Sequence, residues 1–395
     1  MGDQICKGVI LILTSISFLL CCGEDVESLS SSRDDFAAIT IQRNQNSNAH
    51  NIKDAQLEVE RVILKPDLAN QIGSISHFFQ LENQLILVDK NSERIVSVSP
   101  QGSLIWQLKG QSDDYASFST IQYCTFDKYN NQLLVLDDRQ TVYVYSPQGK
   151  FLETKRRPRF NFNIFAALSK DVMVYSAQNL NNNMLDGQSK QLLMVEKGKV
   201  VTQHVNHVLQ LPRRPNMGGF PEFFIQDTSL FYKAALRDTV YEMSTNTKPS
   251  PTFVIKFDVR ESTDEVLRNP ARTEKLSYII NRNIPFIYSL TSNGEYLYIS
   301  YRDSESRSLA KIDAFTGETI FNAGYLQYGD WLFKTPLLEF NGVFLAASTV
   351  AEDKANRRYL QNQSDENFTV WQRELNELEK SGMDNGAMVL YLLKT

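Results

Sequence analysis

Gln84 to Leu108 reads QLILVDKNSERIVSVSPQGSLIWQL, and Gln132 to Lys155 reads QLLVLDDRQTVYVYSPQGKFLETK. Gln132 follows Gln84 by 48 residues and Asp137 follows Asp89 by 48, whereas Gly149 follows Gly102 by 47, so the copies superpose with one gap. Each holds strand-forming runs that lead into Ser-Pro-Gln-Gly. Proline presets the first central dihedral of such a turn and glycine tolerates positive φ, which makes SPQG a hairpin turn with a mechanism. A shared turn recurring at a spacing in the forties marks the four-stranded blade of a propeller.

The same grammar extends outward from these copies with less identity. Blade one covers Ile72 to Leu108 and blade two Thr120 to Thr154. Blade three runs from Phe162 to His204 around a polar excursion at Asn179 to Ser189, blade four from Phe223 to Phe257, and blade five from Phe286 to Phe321. Alternation and turn residues set these limits. Blade six opens near Leu337 with LLEFNGVFLAAST and finishes with MVLYLLK, one strand short. Leu57 to Leu64, LEVERVIL, has the strand pattern that fills the gap, and pairing it there removes the ring's open edges. The expected fold is all-β, a six-bladed β-propeller of four-stranded antiparallel blades over residues 57–395, with the N-terminal strand closing the last blade. Short helical insertions are expected at Ser262 to Arg282 and within Asp353 to Ser381, where Phe368, Trp371, Leu375 and Leu378 form one apolar face.

Forty-two per cent hydrophobic residues in 395 supply a large core, and a net charge of −5 offers no sequence-wide basic excess, so nucleic acid is not an expected partner. Lys7 precedes the apolar run Gly8 to Leu20, which has signal-peptide length and is short for a bilayer span. The run ends in Leu19-Leu20-Cys21-Cys22-Gly23, which resembles a bacterial lipobox with Cys22 as the lipidated residue. Cys21 is the alternative acceptor, and it would place Leu20 where a small side chain is preferred. Residues 1–21 are thus expected to be a lipoprotein signal peptide and residues 22–56 a flexible polar tether. Cleavage leaves only Cys22 and Cys124, so no disulfide framework is expected, and Cys124 reads as a buried small hydrophobe.

Chemistry-bearing motifs are scarce. Only His50, His77, His204 and His207 supply imidazole, and no GxSxG, HExxH, P-loop or CxxC is present. On a strand His204 and His207 point to opposite sides, so they are not expected to share a metal, and no cofactor is expected. Asp89, Asp137 and Asp138 end second strands and read as turn-holding carboxylates. With each blade's strands lettered A to D from axis to rim, the D-to-A connections and B-to-C turns share one side of the ring. There the sequence places Arg156, Arg157, Arg159 and Phe160, then Arg213 and Arg214, then Tyr328 and Trp331, with Arg139, Arg302 and Arg307 in B-to-C turns. Guanidinium forks beside aromatics suit anionic or sugar-like ligands, and solvated loop arginines paired with local acids are the alternative.

The lipobox, the acidic GEDVE that follows it, the D…SPQG blades, DTVYEM and the ending DNGAMVLYLLK together resemble the six-bladed β-propeller lipoproteins of Bacteroidota, an NHL- or TolB-like group. The resemblance implies an outer-membrane lipoprotein, surface-exposed or facing the periplasm, that binds a glycan or peptide as an accessory to outer-membrane transport proteins. An NHL-type lyase or hydrolase with a site in the central channel is the second reading, and a non-catalytic envelope scaffold the third.

Overall fold

In blade one, the strands β4 (His77–Leu81), β5 (Gln84–Asp89), β6 (Arg94–Val98) and β7 (Leu104–Lys109) pair antiparallel in sequence order. The computed structural model describes residues 37–41, 49–52, 55–110, 117–155, 160–176, 190–206, 223–226, 229–233, 239–245, 249–257, 286–302, 307–328, 331–334, 338–340, 342–349 and 387–395. Blade two holds β8 (Tyr123–Asp127), β9 (Gln132–Leu136), β10 (Val142–Tyr145) and β11 (Phe151–Lys155). Blade three is β12 (Ile164–Ala167), β13 (Val172–Ser176), β14 (Lys190–Glu196) and β15 (Lys199–Asn206); blade four is β16 (Phe223–Gln226), β17 (Ser229–Tyr232), β18 (Thr239–Met243) and β19 (Ser250–Phe257). Blade five is β20 (Phe286–Ser292), β21 (Tyr296–Arg302), β22 (Arg307–Asp313) and β23 (Thr319–Ala323).

Blade six is discontinuous in sequence. Its inner strands are β26 (Leu338–Phe340), β27 (Val343–Thr349) and β28 (Met388–Lys394), and its outermost strand is β3 (Glu58–Leu64), paired along its whole length from Leu64 on Met388 to Glu58 on Lys394. The chain is therefore a six-bladed propeller closed by its N-terminal strand.

Among the described residues, six hydrophobic clusters fill the six seams between neighbouring blades. Strand alternation sends successive residues to opposite sides. Leu85 and Leu87 of β5 pack with Leu390 and Leu392 of blade six, while Ile86 and Val88 pack with Leu133 and Val135 of blade two. A blade with a neighbour on each side needs apolar residues at both parities, which is why QLILVD and QLLVL read as runs rather than alternations. Cys124 is a free, buried thiol in the seam of blades one and two, as expected of a small hydrophobe.

Both SPQG turns lock a blade to the one before it. Gly102 and Gly149 have φ of +76° and +75°, and their amides donate to Ser99 and Ser146 carbonyls at 2.9 Å. The register slips beside each turn, between Ser97 and Val98 and between Val144 and Tyr145, giving a type I turn with a glycine bulge. Pro147 O accepts from Gln84 Nε2 and Trp106 Nε1 of blade one, both at 2.9 Å. The first copy instead abuts β3, where a Cβ on Gly102 would lie 1.8 Å from the Ile63 carbonyl oxygen.

The structure departs from the sequence reading in the stretch expected to be a tether, 22–56, where two strands form. The strand β1 (Ala37–Ile41) extends blade four as a fifth strand beside β19, and Ile39 and Ile41 enter the seam of blades four and five. The strand β2 (Ala49–Asn51) pairs parallel to β24 (Tyr325–Tyr328), which pairs in turn with β25 (Trp331–Lys334). Ile52, Ala55 and Leu57 then fill the seam of blades five and six. Buried Lys311 reinforces this, its Nζ donating to Ala55 O at 3.2 Å and to Gln56 Oε1 at 2.5 Å. Few apolar side chains suffice here because the neighbouring blades supply the rest of the surface. Of helices, the described residues hold one, α1 (Pro66–Ala69), with proline in the first turn where its missing N–H costs nothing. The helical insertions expected at Ser262 to Arg282 and Asp353 to Ser381 lie outside the described residues. Among the described residues, no helix is long and apolar enough to cross a membrane.

Candidate ligand-binding face

Antiparallel order puts A-to-B and C-to-D turns on one side of the ring and B-to-C and D-to-A connections on the other. The first side carries only short turns, of which 244–249 is the longest. The strand ends joined by the long connections 110–122, 177–189, 207–222, 258–285 and 350–387 lie on the second.

Aspartates hold the short B-to-C turns of blades one and two on this second side. Asp89 Oδ1 accepts from the amides of Asn91 and Ser92 at 2.9 and 3.2 Å, and Oδ2 from those of Gly73 and Ser74 at 2.7 and 3.1 Å. One carboxylate thereby ties the turn to the D-to-A connection that enters blade one. Burial alone would raise its pKa, but the donors at Ser74, Ser92 and Gly73 outweigh it and hold the carboxyl below its ordinary value. In blade two Asp137 holds the turn, accepting from the amides of Arg139 and Thr141 at 3.0 and 2.9 Å, and Asp138 makes the link to the D-to-A connection, accepting from Ser119 Oγ at 3.1 Å.

Toward the axis, the A strands meet through aromatic rings. Phe340 packs edge-on to Phe79 at 5.0 Å, and Tyr123 to Phe165 at 5.6 Å. His77, first residue of β4, lies edge-on to Tyr123 at 5.4 Å, with Nδ1 at 3.2 Å from Ser76 Oγ. Burial, then the charge of nearby Lys90, pushes the imidazole down to about 3, so it is neutral near pH 7. Burial also lowers the Lys90 ammonium, while Cys124 acts in the opposite direction. The Lys90 ammonium has no hydrogen-bond or ion-pair partner among the described residues. Sequence reasoning passed over this cation. Its signal was a departure from the repeat, because Lys90 stands where blade two has Asp138.

The expected site residues divide. Arg156, Arg157, Arg159, Arg213 and Arg214 belong to the D-to-A connections 156–163 and 207–222, and Cys22 precedes the fold; all six lie outside the described residues. Phe160 is 5 % exposed and packs edge-on to Tyr175 at 5.4 Å and Phe162 at 6.0 Å, so its ring belongs to the seam of blades two and three rather than to an exposed stacking platform. Tyr328 and Trp331 were expected in a loop but are register partners at the closed end of the β24–β25 hairpin. Arg302 and Arg307 are likewise register partners at the B-to-C turn of blade five, and Arg139 is exposed in that of blade two. His204 falls on β15, and His207 lies outside the described residues.

These features define a six-bladed propeller with a plain turn side and a connection-rich side. The chain belongs to the family described as a domain of unknown function (DUF4934), whose profile matches residues 67–380. No curated protein matches the sequence. Among solved structures, a protein described as exported from Bacteroides fragilis shares the fold with a TM-score of 0.66 at 15% identity, covering 91% of this chain and 99% of that one. A member of the DUF4221 family from Bacteroides vulgatus aligns with a TM-score of 0.47 at 11% identity over 86% of this chain and 98% of its own. BamB from Moraxella catarrhalis aligns with a TM-score of 0.42 at 11% identity over 81% and 96%.

Proposed function

We propose that this protein is an outer-membrane lipoprotein, anchored through Cys22, whose connection-rich side binds an anionic or hydroxyl-rich ligand, a glycan or peptide, as an accessory to a transport protein. The observation that carries this reading is the asymmetry of the ring. One side joins its strands by short turns, two of which, the SPQG turns, dock blade to blade, while the strand ends joined by the long, non-repeating connections lie on the other, and binding residues on a rigid scaffold concentrate in such connections. The sequence of the connections 156–163 and 207–222, which follow strands ending on that side, holds the arginine clusters, and the export signal and fold likeness to an exported Bacteroides protein support the envelope setting.

Calorimetric titration with a uronic-acid oligosaccharide series and with acidic peptides tests the ligand class. Arg157→Ala with Arg213→Ala is expected to weaken whichever ligand binds by tenfold or more, and unchanged affinity overturns the arginine-face reading. Cys22→Ser is expected to abolish incorporation of a labelled fatty acid and to move the protein out of the membrane fraction.

The second reading, an enzyme working at the axis, draws on the adjacency of neutral His77, Tyr123 and the Lys90 ammonium, which has no partner among the described residues. It predicts turnover of a glycan panel that Lys90→Met abolishes while binding persists.

A further inference from the structure

Register lines up two lateral rows across blade five. Ser289 of β20 is the partner of Ser300 of β21, which pairs with Leu309 of β22, which pairs with Ala323 of β23. The adjoining row is Thr291, Tyr298, Lys311 and Phe321. Tyr298, Leu309, Phe321 and Ala323 pack in the seam with blade six, so strand alternation puts Ser289, Thr291 and Ser300 on that same side. Leu290, Ile299 and Ala310, of the other parity, fill the seam with blade four. Ser289, Thr291 and Ser300 are 4, 2 and 0 % exposed, and none of their hydroxyls has a hydrogen-bond partner among the described residues.

A buried hydroxyl without a partner is costly, and native interiors hold few of them. Three on one side of one blade, two of them directly opposite each other, form a patch rather than a stray defect. A serine or threonine hydroxyl both donates and accepts, so the complementary occupant must do both, as a neutral hydroxyl compound does and a bare ion does not. Enclosure this complete selects the smallest such molecule. We infer that the seam between blades five and six binds ordered water, held by Ser289, Thr291 and Ser300. Buried water commonly makes two to four hydrogen bonds of this kind. The same side carries the buried Lys311 ammonium, bound to Ala55 O and Gln56 Oε1 and 3.8 Å from the Tyr296 ring centroid. The hydrated patch and the N-terminal segment that enters at Ile52 to Leu57 thus share one wall of the ring.

The sign of a stability change tests this in the full chain. If water satisfies the hydroxyls, Thr291→Val, which keeps the shape, and Ser289→Ala with Ser300→Ala each lower Tm by a few degrees. If the seam is dry, removing an unsatisfied hydroxyl raises Tm, and that result overturns the assignment. Oxygen-17 relaxation dispersion of water counts long-residence internal molecules without relying on stability. The wild type is expected to hold at least one more than Thr291→Val, and equal counts overturn the proposal. Density for a polyol or sugar in place of water at the three hydroxyls, in a crystal grown without either additive, also overturns it.

Discussion

Gly149 stands where only glycine fits. With φ at +75°, a Cβ there would lie 2.7 Å from Trp106 Cδ2, so Gly149→Ala combines a left-handed penalty of about 1–2 kcal/mol with displacement of an indole. Gly102→Ala is expected to cost more, because its Cβ meets backbone, the Ile63 carbonyl, which has no rotamer to yield. Urea denaturation of the two variants checks the order. Asp89→Asn trades an acceptor of four backbone amides for a group with one acceptor oxygen, and about 1–3 kcal/mol of destabilisation is expected. His77 gives stability a pH dependence with a definite sign. The folded imidazole titrates near 3 against 6.5 for the unfolded chain, so its contribution is complete above about pH 6.5 and is lost as pH falls toward 3. The slope is at most about 1.4 kcal/mol per pH unit, and His77→Phe is expected to flatten stability measured between pH 7 and 4.5.

At the scale of elements, the N-terminal segment is the part whose role the sequence conceals. Truncation before residue 49 removes β1 and the burial of Ile39 and Ile41, an expected loss of about 3–6 kcal/mol as an upper range at roughly 1.5–3 kcal/mol for each aliphatic side chain. Equilibrium unfolding of that truncation checks it, and a flexible tether would leave stability unchanged. The blades themselves were legible from strand runs and turns; blade four, Phe223 to Phe257, has its expected limits. Strands β1 and β2 were not, because AAITI and AHN are too short to show a period and gain their partners only from residues more than two hundred positions away. The hairpin at Tyr325 to Lys334 is hidden in the sequence because blade five has its four strands without it. Phe160 shows a related limit. An aromatic beside three arginines looks like a ligand contact, and only the packing of Phe162 and Tyr175 shows that it is core.

Across the whole molecule, each blade is covered on both sides by its neighbours, so no blade owns a core separate from two others. Unfolding is therefore expected to be one cooperative transition. Loss of β3 should abolish it rather than shift it, since blade six would lose its rim strand and the Gly102 turn its dock; calorimetry of a chain lacking residues 1–64 checks this. The amino-acid sequence by itself determined the blade, the count of six and the closing strand, because those rest on local alternation and on turn residues with their own dihedral preferences. Only the tertiary structure shows which residues of the N-terminal segment join the ring, which aromatics are core, and that the Lys90 ammonium and the hydroxyls of Ser289, Thr291 and Ser300 find no protein partner among the described residues. Those outcomes depend on contacts between residues far apart in the chain, and neither period nor propensity carries that information.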